Sequence, residues 1–185
     1  MDEGVRKQRE AAQVILTLMR CIYMKHALAV TETDRLNFFR LYDGCLMDCA
    51  VIAWCKLFGG NTEKIHWSKL VAADKSGSSD NLQVELNSAA GGSLADLSIK
   101  IRNYRDTCVA HHDLDKSKRA VIHPMLGPLA ATGLILYRHI REQLLSKGAA
   151  VNLPELLDER IIQTENLWRE IAEASRQATK DFREA

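Results

Sequence analysis

The chain has 185 residues, 46% of them hydrophobic and 26% charged, and its 25 basic residues against 24 acidic ones leave a formal net charge of +1. That length and apolar share suit one domain, residues 1–185, with a single sizeable core. The balance of charge supplies no bulk attraction for a polyanion, so affinity for nucleic acid has to come from a local basic patch.

Met1 to Glu10 carries charges of both signs and is not followed by the apolar core of a secretory signal, so no export signal is expected. Helical periodicity then predicts a first helix from about Glu3 to Val30. Val14, Leu18, Ile22 and Ala29 lie near one stripe, and Arg6, Arg9, Glu10 and Arg20 mostly off it. Thr31 to Asp34 ends it, with Asp34 as a cap for the next. The second helix, near Arg35 to Phe58, places Leu36, Phe39, Asp43, Leu46, Ala50, Trp54 and Leu57 at steps of three and four until Gly59 and Gly60 stop it. Cys21, Cys45, Cys49, Cys55 and Cys108 all fall inside apolar helical patterns, which suggests reduced, core-packed thiols and a cytoplasmic protein.

After His66 to Leu70, the polar run Asp74 to Asn81 reads as a mobile surface loop, followed by a weak short helix from Leu82 to Ala89. Gly91 and Gly92 break the chain. Ser93, with Asp96 three residues on, resembles a capping box that opens a central helix whose buried stripe is Leu94, Leu97, Ile101, Tyr104 and Cys108. Asp113 to Arg119 is a charged, lysine-rich connection, and Gly127 and Pro128 are the entry to a helix from Leu129 to about Lys147. Its apolar run from Leu129 to Tyr137 is interrupted by Thr132 and Gly133 and is too short for a bilayer, which takes about 20 apolar residues. Asn152 to Glu155 reads as the cap of a last helix in which Leu157, Ile161, Thr164, Trp168, Ile171, Ser175, Ala178 and Phe182 keep heptad spacing, able to pack in the bundle or on a second subunit. With three prolines and few strand-like alternations, the sum is an all-α fold, an antiparallel bundle of about five helices.

One run concentrates groups able to do chemistry: Arg105, Asp106, His111 and His112, at the margin of the central helix's buried stripe. Histidine, with an ordinary pKa of about 6.5, takes or gives a proton at neutral pH, typically worth about 10²–10⁴-fold in rate. Arginine stays charged and grips a phosphate at two points. Asp106 suits neither job and is assigned to orienting Arg105 or His111. On a straight helix residues 105 and 111 differ by about 120° in direction whereas 105 and 112 nearly coincide, so either histidine can face the arginine. Arg102 and Tyr104 lie near the same margin, and Lys116, Lys118 and Arg119 follow as a basic run able to hold a phosphate backbone. His111, His112, Asp113, Asp115 and His123 fix no ligand geometry, so no metal and no other cofactor is expected. His26, His66 and His139 read as structural, and Trp54, Trp67 and Trp168 as core or interface anchors rather than base-stacking platforms.

The pattern Arg105-Asp106 followed by His111 late in a helix resembles the HEPN motif of helical-bundle proteins in defence systems. Ala110-His111 before His112-Asp113, and Trp54 to Phe58 followed by His66-Trp67, resemble its abortive-infection branch. The resemblance implies a metal-independent endoribonuclease of bacterial defence or toxin type, in which the RNA 2′-hydroxyl attacks its adjacent phosphate. It further implies RNA contacts from Arg102, Tyr104, Lys116, Lys118 and Arg119, a homodimer with a composite site across a two-fold axis, and an antitoxin or regulatory protein as partner. Members silenced by nucleotide transfer carry a tyrosine two residues beyond the motif histidine, where this chain has Asp113, so that control is not expected. The rival expectation is a catalytically silent helical module for dimerisation or binding.

Overall fold

The computed structural model describes residues 2–29, 37–71, 78–109, 123–150, 152–155 and 157–179. Among them there are seven α-helices and no strand: α1 Glu3–Leu28, α2 Asn37–Phe58, α3 Trp67–Val71, α4 Ser78–Ala89, α5 Leu94–Tyr104, α6 Leu126–Ser146 and α7 Leu157–Ala178. No helix among the described residues is long and apolar enough to cross a membrane.

Helix α1 is the centre of the arrangement because its apolar stripe is almost wholly buried, with Ile15, Leu18, Met19 and Ile22 fully enclosed. It packs on α2, α6 and α7, while α4 leans on α6 and α5 on α2. The α1–α6 crossing is close at Gly133, where a Cβ would stand 3.0 Å from Leu18 Cδ2. Across the core, Trp54 Nε1 of α2 donates to Thr132 Oγ1 of α6 at 2.9 Å, and Thr132 donates onward to the Pro128 carbonyl, so both buried polar groups are satisfied. Asp43 tolerates its place in the α2 stripe because Lys25 of α1 pairs with it.

Several boundaries differ from expectation, each for a local reason. About five helices were expected; α3 is additional, one short turn begun by the carbonyl of His66 accepting from Lys69 and Leu70. Ser78 to Asn81, expected in a loop, form the first turn of α4. Serine and aspartate favour that position because their oxygens and charge complement unpaired N–H groups. Helix α6 begins at Leu126 rather than Leu129, and Pro128 is accommodated because first-turn nitrogens need no intrahelical partner. Asn152 does not cap α7. It sits at φ +67°, a left-handed conformation that asparagine tolerates, and the helix starts at Leu157. Helix α7 packs within the bundle against α1, burying Leu157, Ile161 and Ala172, whereas Ile171 of the expected heptad stripe is exposed. Cys45 and Cys49 are also exposed rather than core-packed, although Cys49 still meets Cys21 of α1. Asp34 and Phe182 fall outside the described residues.

Candidate functional site

Helix α5 starts as expected, with Ser93 Oγ accepting the Asp96 amide at 3.1 Å. Ser98, 9% exposed, donates to the carbonyls of Phe58 and Gly59 and so fixes α5 to the end of α2. At Arg105 the helix changes: Arg105–Val109 is a π-helical turn, closed by i→i+5 bonding. The expected straight helix through the histidines is therefore interrupted at the first motif residue, and angular relations calculated for 3.6 residues per turn do not carry across it. Such single wide turns recur at functional sites because they displace side chains from the regular helical phase.

On this turn the Arg105 guanidinium is held by Asp106, whose Oδ1 accepts from Nε at 2.8 Å and from Nη2 at 2.7 Å. Asp106 is the main reason the Arg105 pKa lies above its ordinary value. Of the partners expected for Asp106, the arginine is the one it bonds among the described residues. Arg105 also faces Cys55 of α2. Burial pushes that thiol up to about 11 despite the opposing Arg105 charge, so it stays a protonated, unreactive neighbour.

Tyr104, expected to contact RNA, is only 5% exposed, too enclosed for a base to stack on its ring. Its hydroxyl lies 2.8 Å from His123 Nδ1, and the two rings meet edge to face with centroids 5.7 Å apart. Burial, reinforced by the charge of Asp48 on α2, pushes the phenol up to about 12, so it remains a donor. Burial also raises the Asp48 pKa while His123 opposes that shift, which places these three groups in one electrostatic neighbourhood. Sequence reasoning missed this cluster. Its one signal was Asp48, the sole acidic residue in the run Cys45 to Phe58.

Arg102 lies three residues before Arg105 on the same helix, beside a groove formed with the end of α2 and α3. Its Nε is buried and has no hydrogen-bond partner among the described residues, a deficit that ordinarily costs about 1–3 kcal/mol. His111, His112, Lys116, Lys118 and Arg119 all lie outside the described residues. The structure thus brings together Arg102, Tyr104, Arg105 and Asp106 at one end of α5, and adds Asp48, Cys55 and His123 to them. No family model, no curated protein and no solved structure matches the chain.

Proposed function

We propose that the chain is a HEPN-type, metal-independent endoribonuclease of the cytoplasm, acting as a homodimer on single-stranded RNA. The observation that supports it best is Arg105, clamped by Asp106 on a π-turn at the end of α5. A guanidinium held in one orientation is ready for the charge of a phosphorane-like transition state, because no reorganisation is needed when that charge appears.

In this reading one motif histidine, His111 or His112, removes the proton from the 2′-hydroxyl. The freed oxygen forms a bond to the adjacent phosphorus, the bond from phosphorus to the 5′-oxygen breaks, and the imidazolium formed in the first step returns its proton to the departing oxygen. The products are a 2′,3′-cyclic phosphate and a 5′-hydroxyl end. Lys116, Lys118 and Arg119 add backbone affinity, and the defence role brings an antitoxin or regulatory partner.

The test is cleavage of single-stranded RNA by purified protein in excess EDTA, with the ends identified. Cyclic-phosphate ends are expected. Arg105→Ala is expected to abolish them, and of His111→Ala and His112→Ala the one that abolishes cleavage identifies the acid–base residue. Equal cleavage by wild type and all three variants would overturn the reading. A second reading, a catalytically silent binding module, draws on exposed apolar side chains: Phe38 and Leu41 on α2, and Ile162 and Leu167 on α7.

A further inference from the structure

The groove beside Arg102 has a volume of about 580 Å³, within the range of about 300–1,000 Å³ that small-ligand sites occupy. Phe58 to Gly60, at the end of α2, form its floor, in a turn so tight that a Cβ on Gly59 would stand 2.5 Å from the Cys55 carbonyl oxygen. One wall is α5 with Ile99 and Arg102, and the other is the start of α3 with Trp67. Trp67, expected as a core or interface anchor, packs in part against the core and also lines the groove. Its neighbours hold it in place. His66, 5% exposed, shares a 2.8 Å hydrogen bond with Ser68, so the backbone on both sides of Trp67 is tied down. Asn61 and Gln83 stand on the groove with amide groups that both donate and accept.

These groups match the parts of a nucleotide. An indole face accepts any base by stacking, amides meet a base edge, and a guanidinium meets a phosphate in two-point fashion. Arg102 is also one helical turn from Arg105, about 4.5 Å along the axis. A strand whose scissile phosphate sits at Arg105 therefore brings a neighbouring nucleotide to Arg102. We infer that this groove is a subsite for one nucleotide of single-stranded RNA beside the cleaved bond, its base laid on Trp67 and its phosphate held by Arg102. The identity of the polymer rests on the ribonuclease reading; the site itself rests on the groove.

The experiment uses the full chain and a fluorescent RNA octamer carrying 2′-O-methyl groups, which has no attacking hydroxyl and is not cut, with binding read by anisotropy. Trp67→Ala is expected to weaken binding about 5- to 100-fold and Trp67→Phe much less, since a ring remains. Arg102→Gln is expected to weaken binding and to lower the slope of log affinity against log salt by about 0.7, the share of one phosphate contact on a single strand. Lys100→Gln removes the same charge from an exposed position of α5 off the groove and serves as reference, with helicity of every variant checked by circular dichroism.

Losses at Arg102 and Trp67 no larger than at Lys100 overturn the inference. So does a nucleoside 5′-monophosphate that binds as tightly as the octamer with the same dependence on Trp67 and Arg102, because the groove then serves a free nucleotide. Failure of the ribonuclease reading is separately visible. Groove-dependent octamer binding without any cleavage of unmodified RNA removes the enzyme and leaves the subsite, whereas cleavage with groove-independent binding does the reverse.

Discussion

Asp106 determines what Arg105 can do. By accepting from both Nε and Nη2 with one oxygen it orients the fork and leaves the rest of the guanidinium for a ligand. The pair is partly open to solvent, so it contributes little to stability, and Asp106→Asn is expected to shift the unfolding free energy by under about 0.5 kcal/mol. The proposed catalysis would be more sensitive, because an arginine displaced by about 1 Å no longer meets the developing charge. Cleavage by Asp106→Asn should fall about tenfold or more, mainly in kcat. Single-turnover and steady-state assays check this, and unchanged kcat would remove the orienting role. His66 makes a second residue-level prediction. Burial, with Lys69 nearby, holds its folded pKa below the ordinary 6.5. The folded state therefore binds fewer protons than the unfolded one, so the His66 contribution is intact above about pH 6.5 and is lost as pH falls below it. Melting temperature should decline between pH 7.5 and 5.5 more steeply in wild type than in His66→Gln. Parallel curves would assign the acid sensitivity elsewhere.

The junction of α2 with α5 carries the site at the level of elements. Gly59 ends α2 where no Cβ fits, and the buried carbonyls of Phe58 and Gly59 receive Ser98 of α5. Gly59→Ala must move the Cys55 carbonyl or the turn itself, at a cost of about 1–3 kcal/mol, measurable by urea unfolding. An undisturbed midpoint would mean that the turn relaxes freely. Much of this layer was legible in the sequence. The apolar periods of α1, α2, α5 and α6 were visible, as was the Ser93 cap, because burial imposes a 3.6-residue repeat whatever the partners are. Other features were not. The π-turn at Arg105 leaves no periodic mark, since one wide turn shifts the phase only once. Ser78 to Asn81 suit a loop and a helix start equally well. The contact between Tyr104 and His123 joins residues 19 apart through tertiary packing alone, and local pattern carries no information about it. Trp67 packs against the core as expected of an anchor, but its partial exposure was not legible, because residue type indicates burial on average, not which face of a ring is covered.

For the whole molecule, the arrangement around α1 leaves the end of α5 at the periphery, and Arg102, Arg105 and Asp106 keep part of their surface accessible. That placement suits a site completed from outside the single chain, and in the proposed homodimer a two-fold axis would bring the same patch of a second copy to face it. The two ways of building such a site differ in a measurable quantity. If each site combined Arg105 and the motif histidines of one chain, a chain lacking the arginine and a chain lacking the histidines would be inactive in any mixture. If each site instead takes the arginine from one subunit and the histidines from the other, a mixed dimer contains one site with both groups and one with neither. Random pairing makes about half of the dimers mixed, so co-refolded Arg105→Ala and His111→Ala/His112→Ala chains should recover about a quarter of wild-type activity. Recovery should follow the fraction of mixed dimers determined by native mass spectrometry. No recovery at a proven mixed-dimer fraction near one half would place the whole catalytic set within one chain, with the second copy serving only to support it.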